Sequence, residues 1–191
     1  MPSRDIGDAP TLRKRLRADT RAAHEALDVR VAPLDLSRYD DMATYVRAHD
    51  LAYRSLAAAH GKSLPLISQR LERARADLSA LQCRPSPAPL VEMTAIPDTC
   101  GINYVILGAH LGSKLLSRQW ATTTDQRVRG AHHLLQDDTL HAQWREFVAR
   151  TDQSRATGSF ADEAVAAAQE TFRLFQTAFE TIMTDNVMEL T

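Results

Sequence analysis

The chain has 191 residues, of which 44% are hydrophobic and 25% charged, a composition that suits one water-soluble core and excludes a disordered, collagenous or membrane-spanning protein. Its 23 basic and 24 acidic side chains leave a formal charge of −1, so nothing in the overall balance favours nucleic acid or an anionic membrane as partner. Two cysteines, Cys83 and Cys100, are too few for a disulfide framework and form no zinc-type CxxC pair. With no apolar core in the opening MPSRDIGDAP and no apolar run of about 18 residues, the expected compartment is the cytoplasm.

Few stretches read as strands, while apolar positions recur at helical spacing, so the expected fold class is all-α. The first nine residues are expected to be flexible, residues 10–185 to form one helical domain and residues 186–191 a tail. A first helix starts near Asp8 or Thr11, with Pro10 in its opening turn. It carries Leu12, Leu16, Ala23 and Leu27 on one stripe and ends before Pro33. Ser37-x-x-Asp40 reads as a capping box for a second helix that buries Met42, Val46, His49, Tyr53 and Leu56 and stops at Gly61. A third, over 64–82, places Ile67, Leu71, Ala74, Leu78 and Leu81 inward.

The proline-rich segment CRPSPAPL forms a loop before a long helix over 98–120. A shorter helix over 126–135 and another over 139–151 follow. The last opens on a capping box, Ser159-Phe-Ala-Asp162, and aligns Val165, Ala168, Phe172, Phe175, Phe179 and Ile182.

The 98–120 helix spends three of the chain's seven glycines, Gly101, Gly108 and Gly112, inside one helical pattern. Each costs about 1 kcal/mol relative to alanine, and the spacing puts all three on one side. Two explanations stand side by side: a tight helix crossing or kink, and a ligand lying flat against the backbone. On the first helix, His24 sits beside the apolar stripe, with Thr20 and Arg17 one and two turns before it. An unbroken helix sets Arg17 about 10 Å from His24. A neutral imidazole is a good iron ligand, although a lone histidine is more often a hydrogen-bonded core residue.

The block LRADTRAAHEALD resembles the proximal helix of haem oxygenases, and YVILGAHLGSKLL resembles their glycine-kinked distal helix. The similarity continues through RGAHHL and WREFVARTD to ETFRLFQTAFETI, and the bacterial branch matches best. The resemblance implies a single-domain helical bundle with haem sandwiched between the two helices. His24 is then the proximal iron ligand, with Gly108 and Gly112 over the haem. Arg17 and Arg150 meet the propionates through charge-assisted bonds. Haem is both cofactor and substrate in this family, and dioxygen with external electrons yields biliverdin, ferrous iron and carbon monoxide. The chain has no flavin, nicotinamide or iron–sulfur motif, so electrons come from a partner such as a ferredoxin or a flavin reductase.

Asn103 stands where several relatives carry a tyrosine near a propionate, Leu107 where many bacterial members carry glutamate, and Ala109 at a site acidic or hydroxylated in many. Asn103 and Ala109 are expected to line the substrate, and His110, about 200° round the helix from Gly108, to face away. The competing readings are a non-catalytic haem sensor or carrier, a haem-free helical interaction protein, and a haem-free enzyme using Cys100 or a metal. Glu-x-x-His pairs of the di-iron type are absent. The stretch from His132 to His141 reads as a surface turn rather than a metal site, and Cys100 as a buried thiol. His49 and Tyr53 read as core residues, and QRLERARADL as a solvated face.

Overall fold

The computed structural model describes residues 10–60, 64–94 and 98–188. Among them are nine helices and no β-strand beyond a single bridge between Thr11 and Arg155. They are α1 (Leu12–Asp19), α2 (Arg21–Val31), α3 (Tyr39–His60), α4 (Pro65–Ala80) and α5 (Thr99–Gly108). Then follow α6 (His110–Trp120), α7 (Gln126–Gly130), α8 (Asp138–Asp152) and α9 (Ser159–Met188). Gly61, the first nine residues and the side chain of His110 lie outside the described residues.

The longest helix, α9, organises the bundle by packing against α1, α2, α3 and α5. Its apolar phase buries Val165, Ala168, Phe172, Phe175, Phe179 and Ile182, the stripe that its periodicity predicts. Against it α3 sets Met42, Val46, Tyr53 and Leu56. His49 closes this aromatic layer with its ring edge-on to Phe175 and Phe179, at 5.6 and 5.5 Å, and its Nδ1 2.8 Å from the Tyr45 carbonyl. The expected core role of His49 and Tyr53 holds.

The expected first helix is broken, and the expected 98–120 helix carries the kink that its likeness to a glycine-kinked helix implies. The first divides at Thr20, a buried residue with ψ near 0° whose hydroxyl donates to the Leu16 carbonyl at 2.7 Å. A back-bonding threonine of this kind competes with the helical ladder and bends it. The second divides at Ala109, where the Gly112 amide reaches back three residues, to Ala109, in a tighter turn. The helix expected over 126–135 stops at Gly130, and the chain turns through 131–135.

Both capping boxes are absent. α3 begins at Tyr39 with Arg38 as its flanking residue, so Ser37 sits one position too early to cap it, and its hydroxyl donates to Asp35 at 2.7 Å. The Asp162 carboxylate pairs with Arg15 on α1 at 2.7 Å rather than returning to the start of α9. The turn into α9 is made by Gly158, whose φ of +100° suits a residue without a side chain. The proline-rich loop is strapped to the bundle: Arg54 donates to the Ser86 carbonyl at 3.0 Å and the Val91 amide to the Ser55 hydroxyl at 3.0 Å. At its far end the Thr94 amide and Arg173 both bond Glu170. Arg173 first, then the Thr94 amide, hold that carboxyl down to about 2.

Candidate functional site

Helix α2 contributes no fully buried residue, and His24 on it keeps 59% of its side chain exposed. Its ring stands edge-on to Phe172 of α9, centroids 5.6 Å apart. Its Nδ1 lies 2.9 Å from Asp28 Oδ2 one turn on. A carboxylate only accepts, so Nδ1 carries the proton and Nε2 of the neutral ring keeps its lone pair. A histidine whose outer nitrogen is tied to a carboxylate has the second-layer support typical of metal ligands.

The three glycines of the 98–120 segment have different surroundings. A Cβ on Gly101 falls 2.3 Å from the Ala164 carbonyl and 2.6 Å from both Ala167 Cβ and Ala168 N, so this glycine exists for the close crossing of α5 over α9. A Cβ on Gly108 makes only ordinary contact, 3.7 Å from the Trp144 ring, and one on Gly112 meets nothing within 4 Å. The two explanations offered by the sequence therefore divide. Gly101 takes the packing one, while Gly108 and Gly112 have no packing reason among the described residues.

The face they occupy is apolar and open. Beyond the break, Leu111 and Leu115 flank Gly112 on α6 and are 59% and 65% exposed. Trp144 closes one flank, stacked on Phe147 at 5.7 Å and tilted against Tyr104 at 6.0 Å. α2 packs on α9, and so does α5; the histidine and the glycine wall thus stand on a common support.

No family profile matches the chain, and no curated protein matches it. A search of solved structures finds a heme oxygenase from Neisseria meningitidis, described in its NO- and CO-bound forms. It is 21% identical over 91% of this chain and 92% of that one, with a TM-score of 0.64. The chain has the haem-oxygenase fold.

Within the haem-oxygenase fold the other site residues expected from sequence are spread over α1, α5, the Ala109 kink and α8. Arg17 is exposed in the last turn of α1 without an ion pair among the described residues. The Thr20 break lies between it and His24, so the 10 Å spacing of an unbroken helix does not carry over. Asn103 is half-buried in α5, Leu107 is buried and Ala109 is exposed at the kink. Arg150 is exposed with its guanidinium 5.7 Å from the Phe147 ring. Its charge is felt by Cys100, about two turns of α5 before Gly108. Burial first, then Asp98, push the Cys100 thiol up to about 11, which fits the buried-thiol reading and disfavours a nucleophile.

No group of three or more potential metal ligands occurs among the described residues. The His132–His133 pair is stacked at 4.3 Å in the expected turn. What the sequence reading missed lies beside it. Arg70, expected on a solvated face, is 4% exposed and pairs with buried Asp137 at 3.1 Å. Arg73 joins that carboxylate at 3.0 Å, while buried Asp77 accepts from the His133 and Leu134 amides at 2.8 Å each. Arg70, Ala74 and Asp77 share the phase of Ile67 and Leu78, and that phase was the available signal. Trp144 was missed as a flank of the Gly108 wall. No helix among the described residues is long and apolar enough to cross a membrane.

Proposed function

We propose that the protein binds haem between α2 and the α5–α6 wall and is a haem oxygenase. The observation that carries this reading is the pairing of unexplained glycines with a ligand-ready histidine. Gly108 and Gly112 have no neighbour that requires glycine, and His24 has Nδ1 tied to Asp28 and Nε2 left as a donor atom. The donor set fits the group: imidazole for iron, an apolar face of Leu111 and Leu115 for a porphyrin, and Arg17 and Arg150 for its carboxylates.

When bound, haem supplies the iron at which dioxygen is activated and is itself the substrate, opened to biliverdin with release of ferrous iron and carbon monoxide. The chain's part is positional. Asp28 fixes the His24 tautomer and ring orientation. Gly108 and Gly112 leave room over the ring, with Asn103 and Ala109 beside them, and Trp144 and the two leucines exclude bulk water from one edge. Electrons come from a separate ferredoxin or flavin reductase, and the protein acts in the cytoplasm.

A second reading, a haem carrier, draws on the lack of hydrogen-bonding side chains at Gly108, Ala109, Leu111, Gly112 and Leu115. One experiment separates the two. Purified protein is titrated with haemin by absorption, then reduced under air with ascorbate or a ferredoxin system. The enzyme gives a one-to-one complex whose Soret band decays to a biliverdin spectrum. A stable complex identifies the carrier, and the absence of specific binding refutes both. His24→Ala is expected to remove the axial signature and most turnover, with exogenous imidazole restoring the ligand; an unchanged complex refutes the assignment of His24.

A further inference from the structure

We propose that Gln169, Phe172 and Gln176 on α9 form a clamp that positions His24, an inference that rests on the reading of His24 as the iron ligand. The spacing of three and four puts these residues on one face of α9, turned towards α2. Gln176 donates from Nε2 to the Ala23 carbonyl at 2.7 Å, next in the chain to His24. Seven residues earlier, Gln169 donates to the Asp19 carbonyl at 2.9 Å, beside the Thr20 break. Between them the Phe172 ring meets the imidazole at 71°, edge to face. One turn beyond, Glu180 pairs with Arg30 near the end of α2.

This arrangement answers a physical problem. α2 has no fully buried side chain to lock it, its connection to α1 is bent at Thr20, and it carries a residue that must hold a fixed distance and angle to iron. Apolar contacts are non-directional and permit sliding, whereas the Gln176 bond holds α2 directly beside the histidine and the Gln169 bond holds the end of α1 across the Thr20 break, so that together they set where α2 begins and how it is turned. The glutamine bonds add direction to the partly buried Ala23, Leu27 and Val31 that pack α2 against the core. Gln169 and Gln176 are therefore positioning residues, Gln176 acting through the α2 backbone and Gln169 through the last residue of α1, with Phe172 limiting rotation of the ring.

The test uses the full chain reconstituted with haemin. Gln176→Met keeps the side-chain length and removes the donor; Gln176→Lys keeps a donor of similar reach; Gln169→Met breaks the more distant bond; His24→Ala is the reference. The readouts are the haem dissociation rate to an apomyoglobin-type acceptor, the iron–histidine stretching band of the ferrous complex, and thermal melting. Gln176→Met is expected to lose haem about fivefold faster, the loss of one ordinary hydrogen bond, with a shifted and broadened iron–histidine band. Gln176→Lys is expected to restore both. If Gln176→Met does not fold, Gln169→Met decides with the same readouts. A lowered melting temperature with an unchanged band and rate overturns the clamp and leaves the glutamines structural. If His24→Ala also leaves band and rate unchanged, the ligand assignment fails with it; if only His24→Ala acts, the clamp alone fails.

Discussion

Replacing Gly112 with alanine separates packing from ligand binding because the two effects have opposite signs. An added Cβ meets nothing within 4 Å, so apoprotein gains helix propensity at no steric cost, about 1 kcal/mol. For a domain of this size that raises the melting temperature by about 2–4 °C. With haem bound against the same face, the methyl intrudes on a filled site. Overpacking costs about 1–3 kcal/mol, a loss of about fivefold or more in haem affinity. Gly101→Ala is the internal control: its Cβ falls 2.3 Å from the Ala164 carbonyl and 2.6 Å from the Ala168 amide nitrogen. Backbone atoms cannot step aside as side chains do, so a destabilisation of about 3 kcal/mol or more is expected. The assay is calorimetric melting of both apoproteins, followed by haemin titration. A Gly112→Ala protein that melts lower, or that binds haemin as tightly as the parent, refutes the reasoning that this glycine is kept for a ligand.

Two further outcomes follow from the buried polar groups. Arg70→Met strips buried Asp137 of one of its two guanidinium partners and is expected to cost about 3–5 kcal/mol in denaturant unfolding, whereas a solvated Arg70 costs almost nothing. Burial first holds His49 down to about 4 from an ordinary 6.5, so the unfolded chain takes up this proton first. Stability is then unaffected above pH 6.5 and falls by about 3 kcal/mol as pH drops to 4; His49→Leu should flatten that interval, and a parallel pH profile contradicts it.

The helical architecture was legible because a core imposes periodicity: Phe172, Phe175 and Phe179 cannot face one neighbour unless they recur near 3.6 residues. The break at Thr20 was not, since it arises from a hydroxyl-to-carbonyl bond that the residue pattern does not announce, whereas a kink near Gly108 was implied by the likeness to a glycine-kinked helix. Ser37 formed no capping box because α3 begins two residues later, at Tyr39, and its hydroxyl turns to the neighbouring Asp35, while Arg15, brought in by the fold, captured the Asp162 carboxylate that the box at Ser159 needs. Arg70 and Asp77 were misplaced because charge was weighed above phase, although their phase matched Ile67 and Leu78. His24, Gly108 and Gly112 were legible as a set, but only coordinates tell a glycine that serves a crossing from two that do not. Trp144 sits on a different helix and has no pattern of its own, so its place beside Gly108 had no counterpart in the sequence.

The break at Ala109 divides one expected helix into unequal mechanical partners. α5 is keyed into α9 at a point that tolerates no side chain, while beyond the kink α6 presents leucines to open space. Selection or a designer can therefore rework the α6 surface residue by residue, reshaping what it holds, with little penalty to the folded state. The same change attempted at the Gly101 crossing threatens the whole bundle. Substitutions on the two sides of Ala109 are thus read out differently, in α5 as lost stability and in α6 as altered binding.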